Sequence, residues 1–149
     1  MLFRSLRIKP GTCMAAWLAM DDCDLDNGGM VVVPGSHKLD VLCPDEQSDN
    51  ETFFTGHHVD VPEGMETVPA IMKAGDCLFF TGSVIHGSYP NTSKDRFRRA
   101  FICHYAPTSC EEASRAYQLF RFDGTKDERK AAQGGGPCGE VQDRIKSPH

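Results

Sequence analysis

The sequence predicts an all-β, mainly antiparallel fold of the double-sheet jelly-roll type. Short runs rich in β-branched, aromatic and small apolar residues alternate with turns rich in Gly, Pro and Asp, a pattern typical of strands. No repeated helical segment separates the runs, which argues against parallel crossover units. The chain has 149 residues, of which 40% are hydrophobic, and this is enough for the core of a single domain.

The first two predicted strands flank an acidic turn. Residues 13–20 are apolar with alternating small side chains, residues 21–29 are acidic and turn-rich, and residues 30–33 form a β-branched run that ends at Pro34-Gly35. This order predicts a strand, a turn and a second strand.

A polar segment, residues 39–66, follows the second strand and is rich in Asp, Pro and Gly. A segment of this length is predicted to be either a mobile insertion or a functional lid over a pocket. Beyond it, apolar runs that flank turn residues predict three more strands, at residues 68–72, 77–80 and 98–105.

The C-terminal part has a different pattern. Residues 111–120 are predicted to form one short helix, whereas residues 123–149 are charged and are interrupted by Gly134-Gly135-Gly136-Pro137. Because this last stretch contains few large apolar side chains, it is predicted to be a loose tail. We therefore expect a β-domain over residues 1–122 and a flexible tail over residues 123–149.

Composition narrows the expected partners. The net charge is −5 and the basic residues are scattered, so nucleic acid is not an expected partner. No apolar run approaches the roughly 20 residues that span a bilayer, and Arg4 and Arg7 interrupt the apolar N-terminal stretch, unlike a signal peptide. We expect an intracellular protein with no membrane partner. The seven cysteines are an odd number without a CxxC pair, which predicts buried, reduced thiols.

Two residues suggest the chemistry. His86 follows an apolar run, and Arg98 lies twelve residues later on a predicted strand. An imidazole is a common metal ligand, and the planar guanidinium group of arginine binds a carboxylate through two parallel hydrogen bonds. This pair fits an iron oxygenase that uses a dicarboxylate. Strand alternation places Arg96 and Arg98 on one face and Arg99 on the other, so alternation alone leaves Arg96 as an alternative clamp.

Three ordered motifs resemble one known family. They are Trp17-Leu18-Ala19-Met20-Asp21-Asp22, Asp26-Asn27-Gly28-Gly29-Met30 and Val33-Pro34-Gly35-Ser36-His37-Lys38. They are similar to the W-x-A-L-D-D, N-G-x-L and P-G-S-H-K motifs of the phytanoyl-CoA dioxygenase family. The resemblance covers residues 10–107, because the family order continues through Gly75-Asp76, Phe79-Phe80, His86-Gly87-Ser88 and Phe97-Arg98-Arg99-Ala100.

The resemblance implies a double-stranded β-helix, a cupin-like jelly roll, with iron(II) and the cosubstrate 2-oxoglutarate. The implied reaction is hydroxylation of a small organic molecule or acyl thioester by dioxygen, with release of succinate and CO2. By motif position, His86 is the expected distal iron ligand, Arg98 grips the far carboxylate of 2-oxoglutarate, and Ser88 donates a hydrogen bond to the same group. Trp17 is expected beside the cosubstrate, and the Phe-Arg-x-Ala match favours Arg98 over Arg96.

The chain departs from the family pattern in one respect. The His-x-Asp motif that supplies two iron ligands normally precedes the tryptophan, and residues 1–7 contain neither histidine nor aspartate. His58-Val59-Asp60 has the required spacing and would present both side chains on one face of a strand, but its place in the chain is wrong, so the pair is a weak candidate for metal ligands. We expect the C-terminal part of a longer oxygenase, incomplete at its N-terminus, whose unpaired strand edges favour self-association.

Two other functions remain open from the sequence. One is a non-catalytic binding module that keeps the carboxylate clamp, and the other is a metal-free structural cupin-like domain. Each site residue also has an ordinary interpretation, since His86 and His104 could be sheet histidines and Arg98 a surface residue. The turn residues of the motifs, which set the strand register, are interpreted as structural, and they are Asn27, Gly28, Pro34 and Gly35.

Overall fold

A computed structural model describes residues 2–3, 8–9, 12–39, 45–46, 57–113 and 118–132. Within these residues the regular structure is almost entirely short strands, and all strand pairs but one are antiparallel. The prediction of an all-β, mainly antiparallel fold is confirmed. No helix in these ranges is long and apolar enough to cross a membrane.

The strands are numbered in chain order, and a short 3-10 turn, Ser36–Lys38, follows the fourth of them. They are β1 (Leu2–Phe3), β2 (Ile8–Lys9), β3 (Met14–Ala19), β4 (Met30–Val32), β5 (Asp45–Glu46), β6 (His57–His58), β7 (Val68–Pro69), β8 (Cys77–Thr81), β9 (His86–Ser88), β10 (Ala100–Tyr105), β11 (Glu112–Ala113), β12 (Leu119–Phe120), β13 (Lys126–Asp127) and β14 (Lys130–Ala131).

The longest strands form a three-stranded sheet in the order β10-β3-β8. The central strand β3 alternates as its sequence predicts, with Ala15, Trp17 and Ala19 buried on one face and the intervening residues more exposed. Trp17 lies opposite Ile102 of β10 and Leu78 of β8. The side chains of Trp17, Ile102 and Leu78 therefore project from the same face of the sheet, and Trp17 is buried on that face.

A four-stranded sheet in the order β1-β9-β4-β7 packs against that face. In its centre, His86 of β9 lies opposite Val32 and Ser88 lies opposite Met30 of β4. Met30 is 5% exposed and packs in one cluster with Trp17. Burial of a side chain such as Met30 contributes about 1.5–3 kcal/mol, so this contact helps to hold the two sheets together.

The opposite face of the four-stranded sheet is covered by the segment that follows β6. Val59, 2% exposed, packs against Ile85, Val31 and Val33, and Val61 and Met65 flank this cluster. Since Ile85 and His86 are neighbours in an extended segment, their side chains point to opposite faces. Residues 59–65 of the predicted insertion therefore pack on the face away from His86 and do not form a lid above it.

The predicted short helix over residues 111–120 is wrong. Strand β11 occupies its start, where it pairs antiparallel with β2 and parallel with β14, and β12 occupies its end, where it pairs with β13. Helical propensity is a weak preference that pairing with remote strands overrides. Strands β13 and β14 also lie within the segment expected to be loose, and the residues after 132 lie outside the described part. The domain boundary at residue 122 stays a prediction.

The outer face of the three-stranded sheet is apolar and exposed. Phe79 and Phe101 are each 61% exposed there, and Cys77 is exposed as well. The expectation of buried thiols is therefore wrong for Cys77, because strand alternation turns it outward, but Cys13, Cys23 and Cys110 are buried. All five described cysteines are free thiols. Self-association through this sheet stays a prediction.

Candidate functional site

His86 lies on β9 in the space between the two sheets and is 5% exposed. Its Nδ1 atom is 2.8 Å from the carbonyl oxygen of Val84. Because a carbonyl oxygen only accepts hydrogen bonds, Nδ1 carries the proton and donates, which leaves the lone pair on Nε2. The ring also packs against Phe80, with 4.6 Å between centroids. The side chain is thus held in one orientation and one tautomer.

The protonation state of His86 follows from its burial. Desolvation lowers the pKa of the imidazole below its usual value, the Val84 hydrogen bond opposes this, and the charge of nearby His104 lowers the pKa further. The neutral form is favoured, and this is the form of a histidine that binds a metal ion.

Arg98 lies between the turn that follows β3 and the end of β9. Its Nε atom donates a 2.9 Å hydrogen bond to the carbonyl oxygen of Gly28, and its Nη2 atom lies 3.5 Å from the Oγ atom of Ser88. The second distance is at the outer limit of a hydrogen bond. The guanidinium carbon is 5.7 Å from the ring centroid of Trp17, within reach of a cation–π interaction. The structure therefore brings Trp17, Ser88 and Arg98 together.

The three arginines of this segment differ in their partners. Arg96 binds the carboxylate of Asp24 with both terminal nitrogens, at 2.6 and 3.0 Å, and Arg99 binds Asp21 at 2.6 and 2.9 Å. Each arginine lowers the pKa of its aspartate to about 2, mainly through the side-chain hydrogen bond. Within the part of the chain that the structure describes, Arg98 makes no ion pair with a carboxylate. In this respect Arg98 differs from its two neighbours, which both bind aspartates.

These contacts bear on the choice between Arg96 and Arg98, which strand alternation had left open. β10 begins only at Ala100, so the arginine segment lies before the ladder and strict alternation does not apply to it. The ion pair with Asp24 occupies the guanidinium group of Arg96 instead. The geometry supports Arg98, as the motif match does.

Two residues interpreted as simple turn formers contact the arginine segment. Gly28 has φ +80°, and a Cβ atom there would lie 2.9 Å from the carbonyl oxygen of Tyr89, so only glycine fits without strain. Asn27 is 1% exposed, and its amide group donates to the carbonyl oxygens of Asp22 at 2.7 Å and Phe97 at 3.0 Å. In the sequence, the Asn27-Gly28 pair indicates a turn, but it does not indicate that Asn27 bonds to the distant residue Phe97.

His104 was interpreted as an ordinary sheet residue, and in the structure it lies on β10. It lies directly opposite Ala15 in the β3–β10 ladder. Opposed residues of an antiparallel pair share a face, so His104 projects from the same face as buried Ala15 and Trp17. Its electrostatic effect on His86 agrees with this placement.

The weak candidates for further iron ligands, His58 and Asp60, are not brought to His86 by the described residues. Val59 packs on the sheet face opposite to His86, Asp60 is exposed, and the side chain of His58 lies outside the described part. In the described ranges, no three His, Cys, Asp or Glu side chains gather as a metal site. The residues present thus fit the carboxylate of 2-oxoglutarate, but they do not by themselves fit an iron centre, which needs more donors than His86.

Comparison with known proteins agrees with this arrangement. The family model of phytanoyl-CoA dioxygenase (PhyH) matches residues 2–100. The peroxisomal phytanoyl-CoA dioxygenase of Bos taurus is 36% identical over 100 residues, which cover 65% of this chain and 29% of that protein. The protein of the same name from Homo sapiens is 36% identical over 102 residues, with 65% and 29% covered.

A solved structure is similar as well. That of AviO1 from Streptomyces viridochromogenes Tue57 superposes with a TM-score of 0.54 at 27% identity, covering 76% of this chain and 46% of that one. The chain spans less than a third of the length of the curated relatives described above. The family match extends over most of the two-sheet unit that holds the site, and the resemblance read from the motifs is confirmed. The chain belongs to the phytanoyl-CoA dioxygenase family.

Proposed function

We propose that this chain carries the cosubstrate-binding part of an iron(II) and 2-oxoglutarate dependent dioxygenase. Iron(II) and 2-oxoglutarate are the cofactors of this family. One observation carries the proposal: Arg98, unlike Arg96 and Arg99, makes no ion pair in the described part of the chain, and it lies beside Ser88 and Trp17. An arginine with this environment is suited to an anionic ligand.

The proposed ligand of Arg98 is the far carboxylate of 2-oxoglutarate. Because the Nε atom already donates to Gly28, the guanidinium plane is fixed and its terminal nitrogens remain to face the carboxylate. Ser88, whose Oγ atom is 3.5 Å from the guanidinium group of Arg98, is proposed to donate its hydroxyl hydrogen to the same carboxylate. Buried Trp17 limits water around the group, which strengthens the charge interaction.

His86 is the proposed distal iron ligand. Its Nδ1–H is held by Val84, so Nε2 is the atom that would bind the metal. If two histidines and one carboxylate held iron(II), the metal would supply the oxidising chemistry of the family. Among the described residues His86 is the candidate for one of these three ligands, and exposed Asp60 lies on a segment that packs on the sheet face away from it.

The reaction proposed for the whole domain is hydroxylation of a small organic molecule or an acyl thioester by dioxygen, with conversion of 2-oxoglutarate to succinate and CO2. Family membership supports the reaction class, and the name of the curated relatives, phytanoyl-CoA dioxygenase, supports a thioester. A second candidate is a dicarboxylate-binding module without catalysis. It is supported by the position of Arg98 beside Ser88 together with a single candidate iron ligand, His86, among the described residues.

The metal dependence of binding separates these functions. Purified protein is titrated anaerobically with iron(II) and 2-oxoglutarate while the visible charge-transfer band of the iron chelate is followed. His86→Ala is the test variant, and His37→Ala, at an exposed turn histidine, is the matched control. A band with the wild-type and His37→Ala proteins and none with His86→Ala would support a dioxygenase whose iron is held by His86 together with ligands outside the described residues.

Two results would contradict parts of this proposal. An unchanged band with His86→Ala would show that His86 is not the ligand. If no band forms and 2-oxoglutarate nevertheless binds in the absence of iron, the binding module replaces the dioxygenase as the function of this chain.

A further inference from the structure

We infer that Asn27 is a positioning residue that fixes Arg98 for its carboxylate ligand. The inference rests on the proposed function, in which Arg98 binds 2-oxoglutarate. It goes beyond the interpretation of Asn27 as a turn former, because its long-range contact joins two segments that are far apart in the chain.

The side-chain amide of Asn27 makes three hydrogen bonds, two through its nitrogen and one through its oxygen. The amide nitrogen donates to the carbonyl oxygens of Asp22 and Phe97, at 2.7 and 3.0 Å, and the amide oxygen accepts from the backbone N–H of Asp24 at 2.9 Å. The residue is 1% exposed. A buried side chain with this set of bonds has one orientation, since any other leaves buried polar atoms unsatisfied.

The contacts are paired along the two segments. The side-chain amide of Asn27 donates a hydrogen bond to the carbonyl oxygen of Phe97. Gly28, which follows Asn27, accepts a hydrogen bond at its carbonyl oxygen from the side chain of Arg98, which follows Phe97. Two consecutive residues of the turn thus bind two consecutive residues of the arginine segment. A shift of Phe97 would carry the backbone of Arg98 with it and alter the angle of the guanidinium group.

Other contacts hold the residue on the far side of Arg98: the carbonyl oxygen of Arg99 accepts a 2.9 Å hydrogen bond from the backbone N–H of Met20, and the N–H of Arg99 donates a 2.8 Å bond to Asp21. The ladder of β10 begins at Ala100, beyond Arg98, and the side chain of Phe97 is 73% exposed, so packing does not hold it. Arg96 and Arg99 are tied by ion pairs at the surface, where salt and water screen such pairs. The bond from Asn27 is a buried one that holds the residue just before Arg98, and it acts together with the bonds of Arg99 to fix the backbone on both sides of Arg98.

A role in the turn alone does not account for these bonds. The bond that shapes the turn joins Asn27 to Asp24, three residues away, whereas the bond to Phe97 spans 70 residues. A serine at position 27 can keep a local turn bond through its hydroxyl group but is too short to keep both amide bonds. The substitution Asn27→Ser therefore separates the two roles.

The experiment uses Trp17, the single tryptophan of the chain, which is buried 5.7 Å from the guanidinium carbon of Arg98. Its fluorescence reports 2-oxoglutarate binding and, without any ligand, the position of Arg98. The variants are Asn27→Ser, Arg98→Lys and the double variant. Asn91→Ser is the matched control, because Asn91 makes an exposed amide bond to the carbonyl oxygen of Arg96 instead. Near-ultraviolet circular dichroism shows whether each variant is folded.

We expect Asn27→Ser to weaken 2-oxoglutarate binding by about tenfold or more, a loss typical of a misaligned charged hydrogen bond. In the Arg98→Lys background the same change should weaken binding by less than about threefold, because residues that act through one contact are not additive. Without ligand, Asn27→Ser should change the Trp17 emission in the same sense as Arg98→Lys. Asn91→Ser should match the wild type in both measurements.

Three outcomes overturn the inference: unchanged 2-oxoglutarate affinity and Trp17 emission in folded Asn27→Ser, an equal loss of affinity in both backgrounds, or an equal effect of Asn91→Ser. If Asn27→Ser does not fold, Asn27→Asp, which keeps the shape and the acceptor for Asp24, takes its place. Failure of wild-type protein to bind 2-oxoglutarate would contradict the proposed function, and the ligand-free emission would then decide the positioning role by itself.

Discussion

The side-chain amide of Asn27 donates a 3.0 Å hydrogen bond to the backbone carbonyl of Phe97, 70 residues farther along the chain. This bond joins the acidic turn after β3 to the segment that enters β10. On the outer side of the joint, Arg96 and Arg99 pair with Asp24 and Asp21. On its inner side, Arg98 faces Ser88 and Trp17 without a carboxylate partner among the described residues. The three neighbouring arginines therefore have different surroundings: Arg96 and Arg99 form ion pairs with aspartates, and Arg98 lies beside Trp17.

Gly28→Ala tests how closely the turn that contains Gly28 packs against the backbone of Tyr89. The added Cβ atom would meet the carbonyl oxygen of Tyr89 at 2.9 Å, and φ is +80°, so we expect a loss of about 1–3 kcal/mol in the free energy of unfolding. Gly64→Ala is the control, because Gly64 has a similar φ of +79° and nothing within 4 Å. Urea denaturation should show the larger loss for Gly28→Ala. Equal losses would mean that the contact with Tyr89 is not close in solution.

The aspartates that hold the outer arginines predict a dependence on pH. Arg99 and Arg96 lower the pKa of Asp21 and Asp24 from 3.8 to about 2 in the folded protein. A lowered pKa means that the unfolded chain binds protons first as the pH falls, so the stabilisation is present above pH 3.8 and is lost towards pH 2. Denaturation at several pH values should give a shallower acid dependence for Asp21→Asn/Asp24→Asn than for wild type. Identical slopes would exclude these ion pairs as the cause.

Much of the framework could be predicted from local sequence. The buried alternation of Ala15, Trp17 and Ala19 and the short run at Met30 each indicate a strand and its inner face, and both strands are present. The motif match pointed to Arg98 as the carboxylate clamp, which stays a prediction, and the structure shows that the partners of Arg98 differ from those of Arg96 and Arg99. These features depend on residues close together in the chain, where periodicity and turn chemistry are informative.

The remaining features depend on distant partners. The stretch that includes Ala113 has a helical composition but pairs with β2 and β14, and no local pattern specifies those partners. Asn27 reads as a turn residue because the sequence does not show that Phe97 lies next to it. The polar segment that contains Val59 was expected to be a loop or lid, since one buried valine among polar residues gives no periodic signal.

Val59→Ala tests the placement of that segment. Val59 is 2% exposed and packs against Ile85 on the sheet face away from His86. We expect a loss of about 1–3 kcal/mol in the free energy of unfolding from the lost burial and the cavity, with unchanged affinity for 2-oxoglutarate. Val68→Ala, at a valine that is 46% exposed, should have little effect on either. If Val59→Ala weakens 2-oxoglutarate binding in folded protein, the segment does contribute to the site.

The central claim is that Arg98 is the carboxylate clamp, and the most direct test is the affinity for 2-oxoglutarate of Arg98→Gln beside Arg99→Gln, measured by Trp17 fluorescence. Arg99 is the matched control because it is one residue away and paired with Asp21. The account predicts that Arg98→Gln weakens binding by about a hundredfold, the loss of a bidentate charged contact, and that Arg99→Gln binds within about threefold of wild type. Wild-type affinity in folded Arg98→Gln, or an equal loss in both variants, would contradict it.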